Sequence, residues 1–341
     1  MILVMVVLGG ATRLTGSGLS IMEWAPFKGT LPPMSDAEWH RLFALYQQIP
    51  QYDLVNQGFG LAGFKHIFWL EWTHRLWGRL IGVVFLLPLL WFWATGRIRR
   101  SLVPRLGVLF LLGGLQGAVG WFMVASGFFP DSTAVAPYRL VVHLTLALLL
   151  YGVILWIGLS ELPGGARRPI QNVPVVRRLA ALSLALVALT ILAGGFTAGL
   201  HAGLSYNTFP LMDGRLVPQG YGTLRPFLRN LTENIAAVQF DHRVLATLTA
   251  ASVTMTVLAG VAAPASPALR RRLIAVGAAV AVQYGLGVAT LLLVVPVGLA
   301  IVHQAGATVL LTTILVLLHA VLPPRRRNTR TAAFGALAES T

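Results

Sequence analysis

Apolar residues fill long stretches of this chain with no strand-like alternation, and short arginine clusters separate the stretches. Runs stand at roughly 1–13, 68–94, 104–125, 138–159, 178–200, 236–262, 272–294 and 297–321. At ~1.5 Å per residue, roughly 20 apolar residues cross the ~30 Å of bilayer hydrocarbon as a helix. A transmembrane barrel would show short alternating segments instead. The pattern therefore predicts an all-α integral membrane protein with eight transmembrane helices.

The two halves of the chain repeat one another. The stretch from Gly9-Gly10-Ala11-Thr12 to Gly18-Leu19-Ser20 returns as Gly194-Gly195-Phe196-Thr197 to Gly203-Leu204-Ser205. Gly29, Leu31 and Pro33 return as Gly214, Leu216 and Pro218 at the same offset. His74-Arg75 matches His242-Arg243, Leu115-Gln116 matches Val282-Gln283, and Val142-His143 matches Val302-His303. With four predicted spans per half, the halves share one orientation, so the expected architecture is two parallel-repeat four-helix bundles, 1–165 and 166–341. Register exposes a mismatch at the start. Gly195 has about 17 residues of its helix upstream, against about nine for Gly10, so the first helix is too short to span. A natural N-terminus upstream of Met1 is expected, with no separate cleavable signal peptide.

Composition agrees with a membrane protein: 56% of residues are hydrophobic and 11% charged, at a mean hydropathy of +0.74. The net charge of +15 is carried largely by arginines between the apolar runs, which argues for topology and against nucleic acid as a partner. Clusters stand at Arg97, Arg99, Arg100 and Arg105; at Arg167, Arg168, Arg177 and Arg178; at Arg270, Arg271 and Arg272; and at Arg325, Arg326, Arg327 and Arg330. The positive-inside rule puts these clusters and both termini in the cytoplasm and the long loops 14–67 and 201–235 outside. In the first loop, Ser35-Asp36-Ala37-Glu38 has capping-box form and Trp39, Leu42, Phe43 and Tyr46 share one helical face. The helix they form either lies amphipathically on the membrane or packs as ordinary loop structure. The absence of cysteine excludes disulfides, zinc-thiolate and Fe–S sites, and thioether-attached heme.

Histidine carries the candidate chemistry. Of the eight histidines, His74, His143, His242 and His303 each fall about five to seven residues inside the outer end of a span, roughly 8 to 10 Å deep. A single membrane histidine is often a hydrogen-bonded packing residue. Four in one layer, on the second and fourth helix of each repeat, instead suit two pairs of facing imidazoles, each able to hold a metal or heme iron axially. Zinc or copper would need further ligands at that depth, and the sequence places none there. Arg75 and Arg79, Arg139 and Arg243 accompany the histidines and could pair with heme propionates, although snorkelling to the headgroups also accounts for an arginine such as Arg139. Glu71 lies three residues before His74 on the same helical face, where the other half has Gln239. One half therefore has a titratable acid beside its histidine, which points to one reactive and one supporting site. A plain interfacial bond between Glu71 and Arg75 is the competing account.

The segments Gly9-Gly10-Ala11-Thr12-Arg13-Leu14-Thr15-Gly16-Ser17-Gly18-Leu19-Ser20 and Glu71-Trp72-Thr73-His74-Arg75-Leu76-Trp77-Gly78-Arg79 resemble the heme A synthases of mitochondria and alphaproteobacteria. The resemblance covers nearly the whole chain, with His143, Asp241-His242-Arg243 and His303 in place. It implies oxidation of a porphyrin methyl group of heme O to a formyl group, giving heme A for terminal oxidases in the bacterial inner membrane. It implies that His74 and His143 hold the substrate heme, that His242 and His303 hold a b-type heme, and that Glu71 is essential to the chemistry. A heme O synthase, an electron donor and a second copy of the chain are the implied partners. Loop cysteine pairs found in some members are absent, and the shortened first helix leaves the role of Arg13 open. An iron with two histidines has no open position for oxygen, so either a ligand leaves during turnover or the oxygen enters from water at an oxidised heme. The residues leave both routes open.

Two other classes compete. A diheme b-type cytochrome that carries electrons across the membrane would place hemes at both depths, whereas these histidines share one layer. A transporter with parallel repeats would carry polar or broken helices at the midplane. There the spans hold plain Leu, Val and Ala apart from Gln116 and Gln283.

Overall fold

A computed structural model describes residues 1–162, 171 and 173–322 of the chain. The described residues are helical with short connections. The helices are α1 (Ile2–Leu14), α2 (Asp36–Tyr46), α3 (Pro50–Leu54), α4 (Leu61–Ala94), α5 (Val103–Val124), α6 (Pro137–Glu161), α7 (Pro174–Gly199), α8 (Asn230–Glu233), α9 (Ile235–Ala262), α10 (Pro267–Leu292) and α11 (Val297–Val321). Among the described residues seven helices are long and apolar enough to cross a membrane: α4, α5 with its 3₁₀ extension, α6, α7, α9, α10 and α11. The expectation of eight spans is corrected to these seven plus α1, which is apolar but only 13 residues long.

Local chemistry sets the helix starts. Proline occupies the first turn of α5, α6, α7 and α10, where its missing N–H costs nothing. Asn234 caps α9 by accepting from the N–H groups of Ala236 and Ala237, and Ser266 caps α10 through Leu269 N–H. Three spans begin earlier than their hydropathy suggests, at Leu61, Pro174 and Pro267 in place of 68, 178 and 272. In α4 the cause is plain: Lys65 and His66 lower the local hydropathy, yet Phe64, Ile67 and Phe68 on the opposite face are buried against Trp39, Leu42 and Tyr46 of α2. The capped helix at 36–46 thus packs on the extension of α4, as loop structure with its own aromatic core. Trp39 and Phe68 meet edge to face with centroids 4.9 Å apart.

α1 packs on α4 and α11, and α7 packs on α9, α11 and α6. α5 lies against α4 and α6, α10 lies against α9 and α11, and α6 meets α11 between them. The main apolar core is built from α7, α10 and α11, with Val253 of α9, Leu148 of α6 and Val6 of α1 joining it. Arg97, Arg99, Arg100 and Arg105 flank the α4–α5 connection, while Arg177, Arg178, Arg270, Arg271 and Arg272 stand at the starts of α7 and α10. Arg99 pairs with Glu161 at the end of α6, bringing two of these connections together at one end of the bundle. Arg167, Arg168, Arg325, Arg326, Arg327 and Arg330 lie outside the described residues. The long connections 15–60 and 200–234 sit at the other end, above the histidines.

Candidate functional site

Each candidate histidine faces a glycine on the neighbouring helix. His74 of α4 meets Gly9 of α1, His143 of α6 meets Gly120 of α5, His242 of α9 meets Gly194 of α7, and His303 of α11 meets Gly287 of α10. A Cβ on these glycines would lie 3.2, 2.9, 2.9 and 3.0 Å from the respective rings, so a side chain would force the ring to shift at Gly120 and Gly194 and press it by a few tenths of an ångström at Gly9 and Gly287. Each imidazole therefore occupies a notch where two helices approach closely. His74 and His143 stand in the first half of the chain, His242 and His303 in the second.

The rings differ in how they are held. His242 Nδ1 lies 3.1 Å from the Thr190 carbonyl oxygen, which can only accept; the ring proton therefore sits on Nδ1 and leaves the Nε2 lone pair free. Gln116 Nε2 lies 3.1 Å from His143 Nδ1 and donates to the His143 carbonyl oxygen at 2.9 Å. Gln283 repeats this on His303, at 3.1 and 3.0 Å. The Oε1 atoms of both glutamines are buried with no donor among the described residues. His74 has no hydrogen-bond partner among the described residues.

Glu71 is 2% exposed and accepts four hydrogen bonds. Ser20 Oγ donates at 2.7 Å and Ile21 N at 3.0 Å to Oε2, while Arg75 Nε and Nη2 donate at 3.0 and 2.6 Å to Oε1. The expected bond from Arg75 to Glu71 is present, and Arg75 also donates to the carbonyls of Ile21 and Glu23. Gln239 does the corresponding work in the second half with its polarity reversed. Its amide nitrogen donates to the carbonyls of Ala202 and Ser205, and its Oε1 accepts from Arg243. Both side chains fasten the segment that follows α1 or α7 onto α4 or α9.

The remaining arginines also serve this outer layer. Arg79 donates to the carbonyls of Ala25 and Pro26, and Arg243 to those of Tyr206 and Thr208. Arg139 donates to the Phe122 carbonyl and stacks on the Phe122 ring at 3.8 Å. Arg13 reaches across to the Ala198 carbonyl at the end of α7. Burial, together with the nearby Arg13 guanidinium, holds the His201 imidazole below its usual value. Buried donors nevertheless remain without an acceptor among the described residues: Trp72 Nε1 and Arg79 Nη1 on α4, and Arg243 Nε on α9. The four facing glycines, Ser20 and Thr190 were not singled out from the sequence as site residues. Gly9 and Gly194 stood at matching repeat positions, which was their one visible signal.

Comparison with known proteins agrees with this geometry. The family model COX15-CtaA, cytochrome oxidase assembly protein, matches residues 1–315. A protein of Granulibacter bethesdensis named heme A synthase is 63% identical over 340 residues, covering 100% of this chain and 88% of the relative. Heme A synthases of Rhodospirillum centenum and Azorhizobium caulinodans are 48% and 49% identical, covering 95% and 96% of this chain and 86% and 92% of theirs. No solved structure matches the chain. A match across nearly the whole length, joined to identity this high, means that the chain belongs to the cytochrome oxidase assembly protein family COX15-CtaA.

Proposed function

We propose that this protein is a heme A synthase that oxidises a porphyrin methyl group of heme O to a formyl group. The observation that carries the proposal is the layer of glycine-cradled histidines in two pairs, in a chain 63% identical to a protein of that name. His74 and His143 are assigned to the substrate heme, and His242 and His303 to a resident b-type heme. The chain is read as two parallel four-helix halves, 1–165 and 166–341, with α1 as the short first member. In support, α1 packs on α4 and α11 as its counterpart α7 packs on α9 and α6; the contact of α7 with α11 has no equal between α1 and α6.

The residues suit hemes in three respects. The glycines open the helix surface at each ring. The orphaned glutamine oxygens await the Nδ1 proton that a histidine carries once its Nε2 lone pair is given to a metal. A half-turn of either amide supplies that acceptor, in exchange for the bond to the histidine carbonyl. Finally, Trp72, Arg79 and Arg243 keep buried donors free for carboxylates such as heme propionates. Arg75 and Arg139 complete the proposed cationic rim of the site.

A b-type heme at His242 and His303 supplies one-electron transfer when bound. The protein itself orients and shields. Glu71 is assigned a role in the reaction because it stands one turn from His74 and, with Arg75, clamps residues 20–23 over that side of the site. The proposed setting is the bacterial inner membrane, with both termini and the arginine connections cytoplasmic, as the positive-inside rule requires. A heme O synthase, an electron donor and a second copy of the chain are the proposed partners. Chromatography of hemes extracted from the purified protein tests the reading. Heme B together with heme O or A is expected, and heme B alone would turn the assignment toward a diheme electron carrier.

A further inference from the structure

We infer that Tyr284 keeps the second heme resident by closing the flank of its half, and that the first half, with Gly117 in the same repeat position, leaves that flank open for its heme to exchange with the bilayer. The inference rests on the heme reading above and assigns a residue to the difference between a substrate heme and a permanent one.

Tyr284 bridges two helices beside the second histidine pair. It stands on α10 next to Gln283, whose amide donates to the His303 carbonyl, and three residues before Gly287, which faces the His303 ring. Its hydroxyl lies 3.0 Å from Thr247 Oγ1 on α9. Thr247 spends its own proton on the Arg243 carbonyl at 2.9 Å, so Tyr284 is the donor between the two. Phe209 of the outer connection meets the Tyr284 ring edge to face, with centroids 6.3 Å apart. Toward the cytoplasmic end, a cavity of about 310 Å³ opens between α9 and α10, lined by Ala250, Thr254, Val257, Ala281 and Tyr284. Tyr284 is its outermost lining residue and separates it from the histidine layer.

The first half has neither member of this bridge. In the repeat register Thr247 corresponds to Arg79 and Tyr284 to Gly117. Arg79 donates to the Ala25 and Pro26 carbonyls and keeps Nη1 buried with no partner among the described residues. Ala250, Val280 and Ala281 likewise correspond to Gly82, Gly113 and Gly114, and a Cβ on any of these four glycines would meet no described atom within 4 Å. α4 and α5 do touch on either side of this level, through Arg75 on the Trp121 ring at 5.4 Å and Phe85 stacked on Phe110 at 6.3 Å. They pack less extensively than α9 and α10. The gap between those two contacts reaches the turn of α5 that carries Gln116 and Gly120, the residues that meet His143. At its edge stands the free Nη1 of Arg79, a donor suited to a carboxylate. A substrate must enter and its product leave, whereas a heme that passes electrons has no need to move. The halves differ at the two positions that govern this.

The experiment uses the full-length protein purified with its hemes and mixed with excess apomyoglobin, which captures any heme that leaves. Chromatography identifies the captured heme over time. The wild type is expected to release heme O or A about tenfold faster than heme B or more. Tyr284→Gly, which carries the residue of the first half, should release heme B about tenfold faster than wild type or more, with release of the first-site heme unchanged. Tyr284→Phe and Thr247→Val each remove only the hydrogen bond and should quicken heme B release about threefold. The low-spin spectrum before mixing should match wild type in every variant, because no histidine is touched. Unchanged heme B release in Tyr284→Gly, equal quickening of both hemes, or equal release of both from the wild type would each overturn the inference. A changed low-spin spectrum would overturn it too, since Tyr284 would then act on the ligands. If Tyr284→Gly fails to accumulate, Tyr284→Phe and Thr247→Val decide alone, and unchanged release in both counts against the bridge. Heme B alone in the wild-type extract would bring down the parent reading and this inference together, an outcome seen before any transfer is measured.

Discussion

Replacing Glu71 by glutamine separates the chemical role of this residue from its structural one. The carboxylate accepts from Ser20, Ile21 and two N–H groups on one edge of the Arg75 guanidinium. A glutamine that keeps its oxygen on Arg75 turns its NH₂ toward the Ser20 hydroxyl, which can rotate to accept, and the Ile21 N–H, which is left unmatched. At about 1 to 3 kcal/mol for a buried group left unmatched, the local cost is about 1 to 3 kcal/mol. That cost falls on the opening of residues 20–23 and leaves the bundle core unchanged. The Ile21 amide reports it directly, because its N–H bonds Glu71 at 3.0 Å. At tenfold per ~1.4 kcal/mol, ~2 kcal/mol accelerates exchange of that amide about 30-fold. Glu71→Gln should therefore accumulate normally, retain the b-type heme, exchange faster at Ile21 and convert little heme O. Exchange at Ile21 within about threefold of wild type would refute the clamp, and near-normal conversion would remove Glu71 from the reaction. Gln239→Glu is the mirror test. It sets a carboxylate against the Ala202 and Ser205 carbonyls and should loosen residues 202–206.

Four further outcomes follow from the same geometry. Gly194→Ala brings a methyl to 2.9 Å from the His242 ring and should cost about 1 to 3 kcal/mol, seen as lowered b-heme content with normal protein yield. His242→Ala should remove the low-spin b-type signal while the substrate site stays assembled, and a normal low-spin spectrum with full heme content would refute the pairing. Hydrogen bonds from Arg41 hold the Glu23 and Glu38 carboxyls below their usual value of 4.5, so the stability they lend is full above that value and is lost as pH falls through their lower folded values. Limited proteolysis of the 22–41 connection should therefore quicken only below about pH 4.5, and unchanged cleavage at pH 3 would refute the sign. A reporter fused after Arg100 should be active only on the cytoplasmic side.

The sequence exposed what repeats and what is charged. The histidine layer was visible because an ionisable group in hydrocarbon stands out, and because the same residues return in register in both halves. The Glu71–Arg75 contact followed from helical spacing. Other features depend on tertiary contacts that no single-helix pattern records. Lys65 and His66 hid the first two turns of α4, since a hydropathy average cannot see that Phe64 and Phe68 are buried under α2. Gln116 and Gln283 stood out as polar midspan residues, yet their purpose appears only when α5 meets α6 and α10 meets α11. Arginines beside the histidines suggest propionate partners, yet most of their donors are spent on loop carbonyls, which have no side-chain signature in the sequence.

The first helix has one further consequence, for the order of assembly. Gln304 of α11 fills the space over Gly10 and donates to the Val6 carbonyl at 3.1 Å, and Arg13 donates to the Ala198 carbonyl of α7 at 3.0 Å. These bonds span 298 and 185 residues of chain. Gln304, in the last helix, is among the last parts to leave the ribosome. The notch at Gly9 that receives His74 can therefore be complete only after α11 has inserted. Loading of the first site is then a late event in biogenesis, although its histidines are the first to be made.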